Sequence, residues 1–252
     1  MTADDRVFLP RFCDLVFSDA EFEVAGLAVV KDPHVFRFLV NSLRFLGFWQ
    51  FAREALGQLQ LRASGFLGAL FGSQKRSSLK QVCRRYDIEY FTVERINSKS
   101  FRQLLRDKKI ELLVSAACPQ ILGRKLLSLP PKGCINVHYG LLPRYRGLFP
   151  SFWVLANGEK ETGVSVHYMV KEIDAGDILI QEKAAIKPED TFYSLVKRLK
   201  TELGPKALLR AIDKIRNGDS SVIPNNIQDG SYFGFPTREA MKRFRAAGRK
   251  WS

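Results

Sequence analysis

Asn136 and His138 are the two residues of this 252-residue chain that are best placed to do chemistry together. They lie two positions apart in an apolar run that begins at Cys134. Since successive side chains of a strand point to opposite faces, an amide and an imidazole share one face here. The amide can donate a hydrogen bond to a developing oxyanion, and the imidazole can carry a proton near neutral pH. Asp174 would raise the pKa of His138 if the two were adjacent.

The elements that must position these residues form a strand, a loop, a short helical pattern, a second strand and an acidic turn. The loop spans residues 141–147 and is rich in proline, glycine and arginine, and the turn spans residues 172–177. Taken singly, an asparagine in a strand, a lone histidine or an aspartate before a glycine has an ordinary structural explanation. Their combination at this spacing favours the catalytic interpretation.

Four short motifs in this stretch resemble the 10-formyltetrahydrofolate-dependent formyltransferases, which include methionyl-tRNA, glycinamide ribonucleotide and amino-sugar formyltransferases. The motifs are Asn-x-His at 136–138, Leu-Leu-Pro-Arg-Tyr-Arg-Gly at 141–147, Asn-Gly-Glu-x-Glu-Thr-Gly-Val-x-Val at 157–166 and Ile-Asp-Ala-Gly-Asp-Ile at 173–178. Several motifs in the family's order and spacing are far more specific than one pattern alone.

The resemblance implies a transferase that moves a formyl group from 10-formyltetrahydrofolate to a primary amine without a metal ion. Asn136, His138 and Asp174 stand at the family's catalytic positions. A cationic His138 could then donate a second hydrogen bond to the oxyanion. The folate-binding positions that the resemblance implies are Gln120, Ile121, Leu122, Val170 and Lys171.

The amine acceptor is expected to be phosphorylated, and two classes stay open: methionyl-tRNA, or a nucleotide- or lipid-linked amino sugar. Arg144 and Arg146 can bind a phosphate through their guanidinium forks, or they can brace their loop. The net charge of +14 fits either acceptor. Relatives often carry serine where Gly140 lies, which leaves the identity of the acceptor open. No separate tRNA-binding domain fits after the motifs, and this, together with the apolar segment at 34–72, favours the sugar.

The rest of the chain alternates strands with helices. Residues 78–86 and 98–108 have helical patterns, whereas 88–93 and 110–117 read as strands, the latter apolar on nearly every position. We therefore predict an α/β, Rossmann-like formyltransferase fold with a mostly parallel sheet and helices on both faces. Residues 1–218 would form the catalytic domain, and 219–252 a basic C-terminal tail.

Two features depart from that fold. The chain opens in a helical pattern, whereas this fold begins with a buried strand, so we hypothesise that the sequence starts late or that the sheet is completed in another way.

Residues 34–72 are dense in Phe, Leu and Trp and predict a helical apolar insertion. The arginines and glycine within it argue against a membrane span. Its role stays open between packing on the domain or in a homo-oligomer, an acceptor lid, and contact with a membrane surface.

Composition and charge narrow the classes of function and cellular location that fit the chain. The four cysteines show neither paired nor metal-ligand spacing, and no signal segment opens the chain, so we expect a cytoplasmic protein without zinc or disulfides. The excess of positive charge indicates an anionic partner or a solvated basic surface. A dinucleotide oxidoreductase is disfavoured, because no Gly-x-Gly-x-x-Gly follows a strand. A non-catalytic binding or assembly protein on the formyltransferase fold is the alternative function.

Overall fold

Helices and strands alternate along the chain as the sequence predicts. A computed structural model describes residues 1–2, 5, 7–47, 52, 56 and 78–252. The strands are β1 Leu27–Val30, β2 Tyr90–Val93, β3 Leu113–Ala116, β4 Cys134–His138, β5 Arg146–Gly147, β6 Glu161–Tyr168, β7 Ile178–Ala185 and β8 Tyr232–Phe233. The helices are α1 Leu9–Ser18, α2 Val35–Leu46, α3 Leu79–Arg85, α4 Lys99–Asp107, α5 Arg124–Leu127, α6 Pro150–Ala156, α7 Phe192–Arg198, α8 Gly204–Arg216 and α9 Arg238–Ala246. A π-helical turn, Leu199–Leu203, joins α7 to α8.

The sheet is mostly parallel, as predicted. Strands β1 and β2 pair in parallel, and so do β3 and β4. Strand β6 runs antiparallel between β4 and β7, so in this part of the described sheet one strand opposes the others. The carboxyl end of β4, which carries His138, therefore lies level with the carboxyl end of β3. Open α/β sheets bind their ligands at this edge.

Met1 and Thr2 connect the two halves of the sheet. Thr2 bridges Val29 of β1 and Ala116 of β3 in parallel orientation. The Thr2 amide donates to the carbonyl of Ala28 at 3.0 Å, and the Ala116 amide donates to the carbonyl of Met1 at 2.9 Å. Residues 1–2 thus occupy a strand position between β1 and β3, and the late start stays a hypothesis.

A cavity of about 680 Å³ extends from Met1 toward the amino ends of β1 and β3. Apolar side chains of β1, β3, α1, α4 and α8 line most of it, and Glu23, Lys108 and Glu111 are among its polar residues. None of Asn136, His138 and Asp174 lines this cavity. This apolar cavity is therefore separate from the residues singled out for chemistry.

Helices cover both faces of the sheet, as predicted. Leu27 and Val29 pack in one apolar cluster, whereas Ala28 and Val30, which point the other way, pack in the second. The larger cluster includes residues of α1, α3, α6, α7, α8 and α9. The smaller includes residues of α4 and α5. Because side chains alternate along β1, this one strand contributes to both apolar clusters, one on each face of the sheet.

Helix α2 is the described part of the apolar segment predicted at 34–72. Phe45 is buried, and its ring meets those of Phe152 and Trp251 edge-on at 5.1 and 5.5 Å. Phe36 stays 79% exposed. The predicted segment is therefore helical over residues 35–46. Of its remainder, residues 48–51, 53–55 and 57–72 lie outside the described residues. Within the described residues, no helix is long and apolar enough to cross a membrane.

Ser165 on β6 ties the loop after β4 to the sheet. Its hydroxyl donates to the carbonyl of Gly140 at 2.7 Å and accepts from the amide of Leu142 at 3.1 Å. The side-chain amide of Gln181 donates to the same oxygen at 2.9 Å. Ser165 is fully buried, and its bonds join the loop after β4 to strand β6.

Ser165→Ala should lower the free energy of unfolding by about 1–3 kcal/mol, because it leaves buried polar groups without a partner. Urea denaturation of the two proteins measures the difference. Thr162→Val is the matched control on the same strand: the Thr162 hydroxyl is buried and has no hydrogen-bond partner among the described residues, so its loss should cost little. Equal stability of Ser165→Ala and the wild type would contradict the prediction.

Candidate functional site

Asn136 and His138 project from the same face of an interior strand. Strand β4 lies between β3 and β6, so neither residue stands on a sheet edge. The register pairs Asn136 with His167 of β6, and the Asn136 Nδ2 lies 3.3 Å from the Nε2 of His167. Nδ1 of His167 lies 2.8 Å from the carbonyl of Tyr168 and donates to it, so Nε2 can accept one N–H of Asn136. The second N–H of the amide stays available.

Asp174 lies between the two imidazoles. Its Oδ2 is 3.5 Å from Nδ1 of His138, and its Oδ1 is 3.5 Å from Nε2 of His167. The amide of Gly147 donates to Oδ2 at 2.8 Å, which ties the acidic turn to the arginine loop. Asp174 adopts a left-handed φ of 51°. A Cβ at Gly176 would lie 2.1 Å from the carbonyl oxygen of Tyr168, so this tight turn requires glycine.

The His138 imidazole is buried and faces acceptors on both sides. Its Nε2 donates to the carbonyl of Tyr145 at 2.8 Å, and its Nδ1 faces Asp174. Burial lowers the pKa of His138, and His167 adds to the lowering, whereas the Asp174 carboxylate raises it. Asp174 thus raises this pKa, as the sequence predicts for adjacent residues, but the net direction is downward. Desolvation of the cation outweighs one carboxylate at 3.5 Å.

Asp174 stays ionised in this environment. Burial alone would raise its pKa, but the charge of His138, the contact with His167 and the bond from Gly147 lower it to about 2. The site therefore pairs a permanent carboxylate with an imidazole that is mainly neutral at neutral pH. Such an arrangement can accept a proton at Nδ1 of His138 and stabilise the cation beside the carboxylate.

Gly140 lets the loop pack directly on the imidazole. A Cβ at this position would lie 3.0 Å from Nε2 of His138 and 3.1 Å from Cβ of Pro150. Both distances are tighter than ordinary side-chain contacts. A side chain at position 140 would therefore require the His138 imidazole or Pro150 to shift by a few tenths of an ångström.

The two loop arginines differ in their surroundings. The Arg144 guanidinium is half exposed and lies 3.6 Å from the Glu159 carboxylate. Arg146 stacks its guanidinium over the ring of Tyr232 at 5.9 Å, and its Nε and Nη1 are buried without a hydrogen-bond partner among the described residues. Buried guanidinium donors without a partner are costly, which makes Arg146 the more suitable of the two for an anion.

The five positions that the resemblance assigns to folate come after the two strands that flank β4. Residues 120–122 follow β3, and Val170 and Lys171 follow β6. The Gln120 side chain is used internally: its Nε2 donates to the carbonyls of Lys31 at 2.8 Å and Glu94 at 2.6 Å. Leu122 is buried, whereas Lys171 is exposed. Ile121 and Val170 remain 66% and 44% exposed, so each segment presents an apolar side chain that a ring could cover.

His167 faces the site and was not among the residues predicted to act there. In the sequence, the signal for His167 is its position seven residues before Asp174, on the alternating strand that leads into the acidic turn. Its place opposite Asn136 depends on the antiparallel register of β4 and β6. Among the described residues, no group of three or more His, Cys, Asp or Glu is arranged to hold a metal ion.

Comparison with known solved structures supports the fold. WlaRD, a sugar 3N-formyltransferase solved in the presence of dTDP and 5-N-formyl-THF, superposes with a TM-score of 0.57 at 18% identity, covering 92% of this chain and 68% of that chain. PseJ from Anoxybacillus kamchatkensis, a formyltransferase in complex with UDP-4,6-dideoxy-4-formamido-L-AltNAc and tetrahydrofolate, gives 0.54 at 22% identity and covers 66% of this chain and 85% of that chain. These likenesses confirm the predicted formyltransferase fold.

Sequence comparison identifies the family. The methionyl-tRNA formyltransferase of Thermotoga maritima is 36% identical over 184 residues, which cover 69% of this chain and 58% of that protein. The chain thus spans less than two thirds of the length of this curated relative. The sequence profile described as formyl transferase matches residues 68–212, more than half of the chain. The chain belongs to the formyl transferase family.

Proposed function

We propose that the protein transfers a formyl group from 10-formyltetrahydrofolate to a primary amine of a phosphate-bearing acceptor. One observation carries this proposal: Asp174 lies 3.5 Å from both His138 and His167, beside the amide of Asn136. Within a formyl transferase, this group combines a hydrogen-bond donor, a proton acceptor and a fixed negative charge. The folate supplies the formyl carbon and leaves as tetrahydrofolate.

Asn136 would stabilise the oxygen of the formyl group. When the amine attacks, negative charge develops on that oxygen, and a donor placed in advance lowers the barrier. One N–H of the Asn136 amide points to His167 at 3.3 Å, which orients the side chain. The second N–H is the one we assign to the oxygen.

His138 would carry the proton between the two nitrogens. The amine must lose a proton as its C–N bond forms, and N10 of the folate must gain one as the old C–N bond breaks. A neutral His138 accepts the proton at Nδ1, where Asp174 stabilises the cation at 3.5 Å. Returning the same proton to N10 restores the neutral ring, so the reaction needs no external acid or base.

Two exposed apolar side chains support the donor site. Ile121 and Val170 stand in the two segments that the family resemblance assigns to folate, and both leave much of their surface open. An aromatic ring that covers them would gain the free energy of burying that apolar surface. In this proposal Gln120 acts indirectly, because its side chain holds the ends of β1 and β2 together.

Arg146 supports a phosphate-bearing acceptor. Its two partnerless buried donors match phosphate oxygens, and the net charge of +14 favours an anionic ligand. The names of the similar proteins point to two acceptor classes, methionyl-tRNA and nucleotide-linked amino sugars, and we keep both. In this proposal Arg144 braces the loop through Glu159 instead.

Formyl transfer can be tested directly with purified protein. Tetrahydrofolate release from 10-formyltetrahydrofolate would be followed with methionyl-tRNA, with several nucleotide-linked amino sugars and without acceptor. Release that requires one acceptor, together with recovery of the formylated product, would support the function and identify the acceptor class. Absence of transfer to every acceptor by a folded protein that binds the folate would favour the non-catalytic alternative.

Arg146→Lys should raise the KM for the acceptor about tenfold or more, because an ammonium cannot replace a bidentate guanidinium. The KM for the folate should stay unchanged. Arg144→Lys is the matched control from the same loop and should leave both constants within about twofold, since its ion pair is exposed. If the two variants raised the acceptor KM equally, the assignment of the phosphate to Arg146 would fail.

A further inference from the structure

A C-terminal segment, residues 223–233, connects the two loops of the candidate site. We call it the strap. At its start Ile223 and Ile178 exchange backbone hydrogen bonds of 2.8 and 2.9 Å. At its end, the amide of Tyr145 donates to the Ser231 hydroxyl at 2.9 Å, and β8 pairs with β5 in the arginine loop. The strap therefore contacts both the acidic turn and the loop that faces it.

Asn225 is the strap residue that holds the acidic turn. It is 7% exposed, and its side-chain amide donates to the carbonyls of Asp174 at 3.0 Å and Gly176 at 2.9 Å. Its backbone amide donates to Oδ1 of Asp177 at 3.3 Å. Through its side chain and its backbone amide, Asn225 thus bonds to three residues of the same turn.

The Asp174 carboxylate depends on this restraint. Its residue adopts a left-handed φ of 51°, a conformation that costs free energy for a residue with a side chain. The carboxylate itself has one short bond, 2.8 Å from the Gly147 amide, and its contacts with the imidazoles are 3.5 Å long. Small rotations of the turn would therefore break both imidazole contacts.

We propose that Asn225 is a positioning residue, which holds the Asp174 carboxylate between His138 and His167. Its effect on catalysis rests on the proposed function, whereas its effect on the imidazoles does not. Asp174 and His167 are the ionisable groups that face His138, and the Tyr145 carbonyl occupies its other nitrogen. Displacing the carboxylate removes the one charge that raises the pKa of His138.

The variant Asn225→Ala tests, without any substrate, whether Asn225 positions the Asp174 carboxylate. The chain has three histidines, and NMR titration of their imidazoles follows each ring separately. His138 in the variant should titrate at a lower pH than in the wild type, whereas the exposed His34 serves as the unchanged reference. Asn226→Ala is the matched control: Asn226 is exposed and bonds to Asp229 and Gln228, away from the turn. An unchanged His138 titration in folded Asn225→Ala would overturn the proposal.

Activity gives a second test. In the enzyme, Asn225→Ala should lower kcat about 10–100-fold with little change in acceptor KM, since a misplaced charge affects the reacting groups more than binding. A double-mutant cycle with Asp174→Asn separates positioning from general damage. Asn225→Ala should cost little further activity in that background, and additive losses would contradict the proposal.

Two further results keep the outcomes distinct. If Asn225→Ala does not fold, Asn225→Ser, which retains one hydroxyl donor, replaces it and should give a smaller shift in the same direction. If the wild type shows no transfer to any acceptor, the proposed function fails, and the His138 titration still decides whether Asn225 positions Asp174.

Discussion

Replacing His138 with alanine should lower kcat/KM for formyl transfer by about 10²–10⁴-fold, the usual loss when a proton-transferring side chain is removed. The imidazole is the group that can accept the amine proton, and Asp174, a permanent anion, cannot substitute for it with a pKa of about 2. Initial-rate assays with the active acceptor measure the loss. Circular dichroism and thermal unfolding establish that the variant is folded.

The pH dependence of the wild type provides an independent check on His138. Burial lowers its pKa from the ordinary 6.5, so the neutral, proton-accepting ring persists into mildly acidic solution. The acid limb of kcat/KM should therefore have its midpoint below 6.5 and should disappear in His138→Ala. His34→Ala, which alters an exposed histidine, should keep the wild-type profile. A midpoint above 6.5 would mean that the cation is favoured in the free enzyme.

Asp174→Asn should lower kcat about 10²–10³-fold, the scale on which a fixed charge or donor contributes to a transition state. The amide keeps the shape and can still accept from Gly147, but it no longer stabilises a cation on His138. The acid limb of any residual activity should move to lower pH, because the charge that raises the pKa of His138 is gone. Steady-state kinetics across pH measure both changes.

The lowered pKa of Asp174 also predicts how the free energy of unfolding depends on pH. Its pKa falls from 3.8 in the unfolded chain to about 2 in the folded protein. The corresponding contribution of about 2 kcal/mol is present above pH 3.8 and is lost as the pH falls toward 2. Denaturant unfolding should show this loss in the wild type and lack it in Asp174→Asn.

An aspartate outside the site provides the comparison. Asp219 is exposed near the end of α8, so Asp219→Asn should retain full activity and the wild-type acid dependence of stability attributed to Asp174. Equal acid sensitivity of Asp174→Asn and the wild type would show that the carboxylate is not stabilised by its two imidazole neighbours.

Much of the fold follows from local pattern. The buried strand predicted at 110–117 contains β3, and the second strand predicted between the short helix and the acidic turn is β6. The helical pattern predicted at 98–108 contains α4, and Ser98 caps this helix, because its hydroxyl accepts from the amide of Phe101 at 3.1 Å. Side-chain alternation and capping act over a few residues, which is why they can be read without the tertiary structure.

The predictions for individual side chains were less complete. The guanidinium chemistry of Arg144 and Arg146 left phosphate binding and loop bracing open for both, whereas in the structure Glu159 pairs with Arg144, and two buried donors of Arg146 have no partner among the described residues. The side chain of Gln120, likewise, donates its hydrogen bonds to carbonyls at the ends of β1 and β2. Such differences depend on neighbours distant in sequence, so no local pattern contains them.

The sequence by itself determined that Asn136 and His138 share one face of a strand and that Asp174 lies in an acidic turn before Gly176. Strand periodicity and turn composition are properties of short segments. Only the tertiary structure decided that His167 joins them, since this needs the register of β6 on β4. It also decided the direction of the His138 pKa, because burial is the sum of contacts from the whole fold.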